Sequence, residues 1–192
     1  QAYDLLQADY NLEPISIHLH KNIPIGAGIG GGSADASFML KMLNDVYQLN
    51  ISTTDLEAYA KRLGADCPFF IENTPKYVEG IGDIFSETKV DLRGYYLVLI
   101  NDGTHVSTKD AYANVNPQTP DFNTNFILEC PIEDWKGRLV NDFEKSVYIK
   151  FPHLEEQKKL LYAHGALYAS MTGSGSTHFG IFKSPVEIKS SK

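Results

Sequence analysis

Between Ile15 and His20, hydrophobic and polar residues alternate, with Ile15, Ile17 and Leu19 set against Ser16, His18 and His20. This period of two predicts a half-buried strand, and Ile23-Pro24 marks a turn after it. The spacing then becomes helical: Ala36, Met39, Leu40, Leu43, Val46 and Tyr47 share one face, and Ser33 stands where an N-cap is expected. A second helix is signalled by Ser52 with Asp55, runs through Leu56, Tyr59, Ala60 and Leu63, and is stopped by Gly64. The unbroken apolar run from Tyr95 to Ile100 predicts a buried strand, and Asp91 to Gly94 before it is the expected domain boundary. A helix from about His153 to Ala163, closed by Gly165, precedes two strands, Ala166 to Met171 and His178 to Phe182, with Thr172-Gly173-Ser174-Gly175 between them. The polar tail from Ser184 to Lys192 is expected to fray.

Composition narrows the function classes. A chain of 192 residues, 43% hydrophobic and 21% charged, has room for one sizeable core or two smaller ones. Its net charge of -7 argues against a nucleic-acid surface, which needs clustered cations. A small anion can still be held in an acidic protein by a nest of backbone N–H groups. Cys67 and Cys130 stand far apart without metal-ligand spacing, so neither a disulfide framework nor a zinc site is expected, and the expected compartment is the cytoplasm. No apolar run approaches the roughly 20 residues a membrane span needs. The chain opens at Gln1 without a methionine, as expected of a processed or truncated protein.

Five of the 15 glycines fall in the seven positions from Gly26 to Gly32. Such density is costly in chain entropy unless backbone must approach something closely. Lying between an expected strand and an expected helix, the loop can turn successive N–H groups inward, and the helix dipole adds positive potential, a combination that suits phosphate. Pro24, Ile25, Gly26, Ala27, Gly28, Ile29, Gly30, Gly31, Gly32, Ser33 and Ala34 are therefore the candidate phosphate-binding residues. Gly26, Gly28 and Gly31 also satisfy GxGxxG by letter, but helix follows helix where a dinucleotide fold needs a second strand. None of these glycines is followed by the lysine of a Walker loop, and the HRD and DFG segments of protein kinases are absent.

The loop resembles that of the GHMP kinases, Pro-x-x-x-Gly-Leu-Gly-Ser-Ser before a helix, in an expanded form that uses Pro24, Gly28, Ile29, Gly30 and Ser33. Its wording, Lys21-Asn22-Ile23-Pro24 through Gly30-Gly31-Gly32-Ser33-Ala34-Asp35-Ala36, is similar to that of the diphosphocytidyl-methylerythritol kinase branch. Gly64-Ala65-Asp66-Cys67-Pro68-Phe69-Phe70 resembles the GADVPFF segment of the same branch, with Cys67 in place of Val. Met171-Thr172-Gly173-Ser174-Gly175-Ser176-Thr177 resembles its glycine loop in the second domain. Glu79-Gly80-Ile81-Gly82-Asp83 and Asn141-Asp142-Phe143-Glu144 resemble two further segments, both read as structural.

This resemblance covers about His18 to Phe182 and implies an α+β, two-domain GHMP kinase fold. Residues 1–92 would be an incomplete ribosomal-protein-like first domain, and residues 93–192 a ferredoxin-like second one. It implies ATP with Mg²⁺ as cofactors and transfer of phosphate to the 2-hydroxyl of a small-molecule substrate, cytidine diphosphate methylerythritol. Asp66, which alone would read as a turn residue, becomes the candidate catalytic group that orients or deprotonates the hydroxyl. Thr108 and Tyr112 become candidates for the substrate's cytosine, although Tyr112 reads equally well as a core aromatic. Gly173, Ser174 and Gly175 would close on the substrate. A catalytic Lys and a Tyr-His pair are expected upstream and are not found before Ile15, so this chain alone is expected to be inactive.

Other GHMP kinases, acting on mevalonate, homoserine or a sugar, and a non-catalytic nucleotide-binding relative remain as alternatives. The oligomeric state and the metal ligands are open, Ser33 being the one metal-ligand suggestion. His18 and His20 share a strand face without a third ligand and are set aside as solvated; Trp135 is expected to pack, and Lys158-Lys159 to lie on a solvated helix face.

Overall fold

In a computed structural model, residues 1–113, 115 and 124–188 are described. Residues 189–192 of the expected fraying tail fall outside them. The chain packs as two units, 1–25 with 30–88, and 26–29 with 89–192. The main change of unit thus comes at Thr88–Lys89, and four residues of the glycine loop pack with the second unit.

The first unit is helical with one hairpin. Helix α1, Ala2–Tyr10, buries Ala2 and Leu6 one turn apart and ends at Asn11 in the left-handed region (φ 49). Helix α2, Gly31–Val46, supplies Leu40 and Leu43, and α3, Thr53–Leu63, supplies Leu56 and Ala60. These side chains meet Leu12, Ile51 and Cys67 in one core. Ser52 caps α3 by accepting the N–H of Asp55, as its sequence indicates. The short α4, Phe69–Glu72, follows. An antiparallel hairpin then pairs β1, Lys76–Glu79, with β2, Ile84–Glu87, around the turn 80–83.

Three expectations are corrected here. Residues 15–20 form no strand: Ile15, Ile17 and Leu19 are exposed, and among the described residues no neighbour pairs with them. Alternation makes a strand only where a second chain segment accepts its N–H and C=O groups. Ser33 is not an N-cap, because Gly31 and Gly32 already take helical geometry and place Gly30 at the cap. Val46, at the frayed end of α2, is 63% exposed rather than on the buried face.

The second unit is built on an antiparallel sheet of order β3-β5-β4, from β3 (Tyr96–Ile100), β4 (Tyr168–Met171) and β5 (His178–Phe182). In register, Phe179 of β5 lies between Leu99 and Ser170. Helices α5 (Thr108–Ala113), α6 (Thr124–Leu128), α7 (Phe143–Lys150) and α8 (Pro152–Ala163) complete it. Leu161 of α8 packs with Ala169 and Phe182, while Trp135 packs edge-on against Tyr168 with its indole N–H on Cys130 O. Strand β3 is not buried as its apolar run predicts: it is a sheet edge, with Leu97 60% and Leu99 53% exposed. Composition reports the apolar run, but only topology says how many faces are covered.

Candidate active site

In the second unit, the arch 26–29 is held by the β4–β5 loop, 172–177. Ala27 O accepts Thr177 N at 3.2 Å and the Thr177 hydroxyl at 2.6 Å, and Gly28 O accepts the Thr172 hydroxyl at 3.2 Å. Among the described residues, no N–H from Gly26 to Gly30 donates a hydrogen bond. Carbonyls are thus engaged on one side while donors stay unpaired, which is the electrostatic character of an anion cradle. Gly26 and Gly28 have φ of 78° and 77°, and a methyl on Gly28 would strike the Gly175 carbonyl and lie 2.9 Å from Thr172 O. Only glycine meets both demands.

The loop is itself braced from below. Asn141 donates to Met171 O and Gly173 O, each at 2.8 Å. Buried Glu144 accepts Met171 N at 2.9 Å and the Ser170 hydroxyl at 3.1 Å, and pairs with Lys158 at 2.5 Å. Lys158 is therefore a partner of a buried carboxylate, not part of a solvated face. Past the loop, fully buried His178 receives the Tyr148 hydroxyl at 2.8 Å on Nε2 and contacts Gln157 Oε1 at 3.2 Å through Nδ1. Gln157 gives its amide to Asp102 at 2.8 Å, so its oxygen faces His178, which must carry its proton on Nδ1. Loss of hydration pushes the His178 imidazole down to about 4, and every partner suits the neutral ring.

Tyr112 stands 63% exposed on α5 with its ring edge-on to Phe143, centroids 4.7 Å apart. It is not a core aromatic, and its free surface is available for stacking. Thr108 opens the same helix and is exposed.

In the first unit, Ser37 donates to Cys67 O at 2.6 Å, pinning the segment that carries Asp66 to α2. The Phe70 ring approaches Gly30 so closely that an added Cβ would lie 2.9 Å away, so the two sequence motifs meet. Asp66 itself is exposed and enters no hydrogen bond or ion pair among the described residues. The hairpin turn lies beside it, since a Cβ on Gly82 would be 3.3 Å from Asp66 Oδ1. Two other carboxylates of this unit are committed: Asp83 to Lys61 at 2.7 Å, which lowers its affinity for protons, and Asp35 to Lys21 at 2.5 Å. Lys21 also reaches the start of α2, 3.7 Å from where a Gly31 Cβ would stand. Of the three, Asp66 is the carboxylate with no ion pair among the described residues.

Sequence reasoning left Thr172, Thr177 and Asn101 without roles, while Asn141 and Glu144 are structural, as their segment was read. Thr172 and Thr177 stand inside the quoted glycine motif, and Thr at both ends of a glycine turn was the available signal.

A glycine arch with unpaired N–H donors is what a phosphate-binding loop requires. Residues 1–73 match the GHMP kinases N terminal domain and residues 133–190 the GHMP kinases C terminal domain. The chain is 52% identical over 186 residues to the 4-diphosphocytidyl-2-C-methyl-D-erythritol kinase of Azobacteroides pseudotrichonymphae, covering 96% of this chain and 70% of that protein. It is 51% identical over 187 residues to the protein of the same name from Bacteroides fragilis, covering 97% and 68%. A crystal structure of 4-(cytidine 5'-diphospho)-2C-methyl-D-erythritol kinase matches with TM-score 0.71 and 33% identity, over 84% of this chain and 59% of that one. Homoserine kinase from Cytophaga hutchinsonii shares the fold at TM-score 0.57 and 20% identity, over 85% and 59%. The chain belongs to the GHMP kinase family of small-molecule kinases. Among the described residues, no helix is long and apolar enough to cross a membrane.

Proposed function

We propose that the protein transfers the γ-phosphoryl group of ATP to the 2-hydroxyl of 4-diphosphocytidyl-2-C-methyl-D-erythritol, a step of non-mevalonate isoprenoid synthesis. The observation that carries this reading is the arch 26–29, with its Ala27 and Gly28 carbonyls engaged and its N–H groups unpaired, in a chain about half identical to kinases of that name. ATP phosphates would lie on the arch and on the N-terminal turn of α2, from Pro24 to Ala34. The substrate hydroxyl oxygen attacks the γ-phosphorus, the bond to the β-γ bridging oxygen breaks, ADP leaves, and the hydroxyl proton passes to Asp66.

Among the described residues, no three His, Cys, Asp or Glu side chains converge. Magnesium bound with a nucleotide would be held largely by phosphate oxygens and water, as is usual for this ion, with the Ser33 hydroxyl as the candidate protein contact. When bound, it neutralises phosphate charge. Tyr112 offers its exposed ring to the cytosine, stacking being recognition that any base face accepts, and Thr108 starts the same helix. Gly173, Ser174 and Gly175 line the loop that braces the arch.

The test is a phosphorylation assay of the protein expressed from its complete reading frame, with ATP and Mg²⁺ and a panel of the cytidyl substrate, mevalonate, homoserine and galactose. Turnover of the cytidyl substrate, with the others at background, is expected. Preferred turnover of another alcohol would overturn the substrate while keeping the class. ATP binding without turnover of any alcohol would favour a regulatory relative.

A further inference from the structure

Thr177 makes a pair of contacts that fixes the direction of its hydroxyl. Its Oγ1 lies 2.8 Å from Asn101 Nδ2 and 2.6 Å from Ala27 O. The Asn101 amide cannot be turned over, because its Oδ1 accepts Gly103 N at 2.9 Å, so its NH₂ group must face Thr177. An amide NH₂ only donates. The Thr177 oxygen therefore accepts from Asn101 and sends its own proton to Ala27 O. Thr177 and Ala27 are buried, at 2% and 6% exposure, while Asn101 itself is exposed.

The second carbonyl of the arch, Gly28 O, is taken by the Thr172 hydroxyl at the other end of the same loop. Holding two successive carbonyls on one side turns the intervening N–H groups to the other side, since a peptide's C=O and N–H point in opposite directions. The arch would otherwise be free to rotate its peptide planes, because glycine resists little at Gly26 and Gly28.

We propose that Thr177, oriented by Asn101 and assisted by Thr172, is a positioning residue for nucleotide binding, holding the arch with its N–H donors aimed at phosphate. This rests on the phosphoryl-transfer reading given above. The Thr177 side chain is buried against the Ala27 carbonyl, so its loss is expected to fall on the phosphate donor.

The test compares Thr177→Val, which keeps shape and removes the hydroxyl, with Thr177→Ser, which keeps the hydroxyl. ADP and ATP affinities are measured by calorimetry, and KM values are measured separately for ATP and for the cytidyl substrate. Thr177→Val is expected to weaken nucleotide binding by about tenfold, as for one buried hydrogen bond lost from a carbonyl. The KM for the cytidyl substrate should stay within about twofold, and Thr177→Ser should recover most of the nucleotide affinity. If Thr177→Val does not fold, Thr172→Val, at the less buried end of the loop, should show the same selective loss at smaller size. Unchanged nucleotide affinity in the folded valine variant, an equal rise in both KM values, or no recovery by serine would each overturn the role. Absence of nucleotide binding by the unaltered protein would overturn the phosphoryl-transfer reading itself, and the role of Thr177 with it.

Discussion

Glu144 lies 8% exposed with both carboxylate oxygens engaged, by Met171 N and Ser170 on one and Lys158 on the other. Asp66 lies exposed just past α3 with neither oxygen committed among the described residues. Both belong to motifs of similar appearance in the sequence, an acidic residue in a short segment bounded by turns. Their surroundings separate them: one carboxylate spends its charge on holding a loop, and the other is exposed with no hydrogen bond or ion pair among the described residues.

The contrast breaks first at Glu144. Glu144→Ala leaves the Lys158 ammonium half-enclosed without a partner and strands the Met171 N–H, a loss of about 3–5 kcal/mol measured by denaturant unfolding. The double change Glu144→Gln with Lys158→Met keeps an acceptor for Met171 N and removes the ion pair, so it should recover most of that stability. A single alanine variant as stable as the wild type would show that the cluster does not hold the loop.

The neighbouring His178 gives the buried region a pH dependence. A histidine kept neutral by burial, with its folded value pushed down to about 4 from an ordinary 6.5, contributes stability that is fully present above about pH 6.5. As pH falls from there towards 4, the unfolded chain takes up the proton and the folded chain does not, so roughly 3 kcal/mol is lost across that window. Thermal melts at steps between pH 7 and 4.5 should show this fall, and His178→Gln should flatten it. A wild-type profile that the glutamine variant reproduces would place the titrating group elsewhere.

On the exposed side, Asp66→Asn should lower turnover by roughly 10²-fold, about 2.7 kcal/mol, in the protein expressed from its complete reading frame. Nucleotide affinity should be unchanged, and stability should stay within about 0.5 kcal/mol, as for an exposed site without partners. Full turnover in Asp66→Asn would leave the family standing and remove the role proposed for this residue.

Much of this was legible in the chain, for physical reasons that can be named. Helices α2 and α3 were readable because apolar residues recur at helical spacing, and α3 and α8 because a glycine, Gly64 or Gly165, stops each. The β4–β5 hairpin announced itself through its glycine turn. The segment 15–20 misled because alternation describes one chain while a strand needs two. Helix α1 escaped because only Ala2 and Leu6 bury its face and its N-terminus carries no side-chain cap. The glycine loop and Asp66 were picked out by motif, but the clamp of Thr172 and Thr177 on the arch joins residues about 150 apart in the chain, and no local pattern reports a partner at that separation.

The arch 26–29 packs with the second unit while its flanks on both sides pack with the first, so the chain passes from one unit to the other three times. No single cut of the polypeptide can therefore release either unit whole. A fragment beginning at Lys89 would carry Thr177 but not the Ala27 carbonyl it serves, and a fragment ending at Thr88 would carry four residues of its neighbour. The two halves of such a protein cannot be exchanged between kinases as interchangeable modules by one recombination event. A chimera would inherit a matched arch and loop only if the short glycine segment travelled with the distant hairpin that holds it.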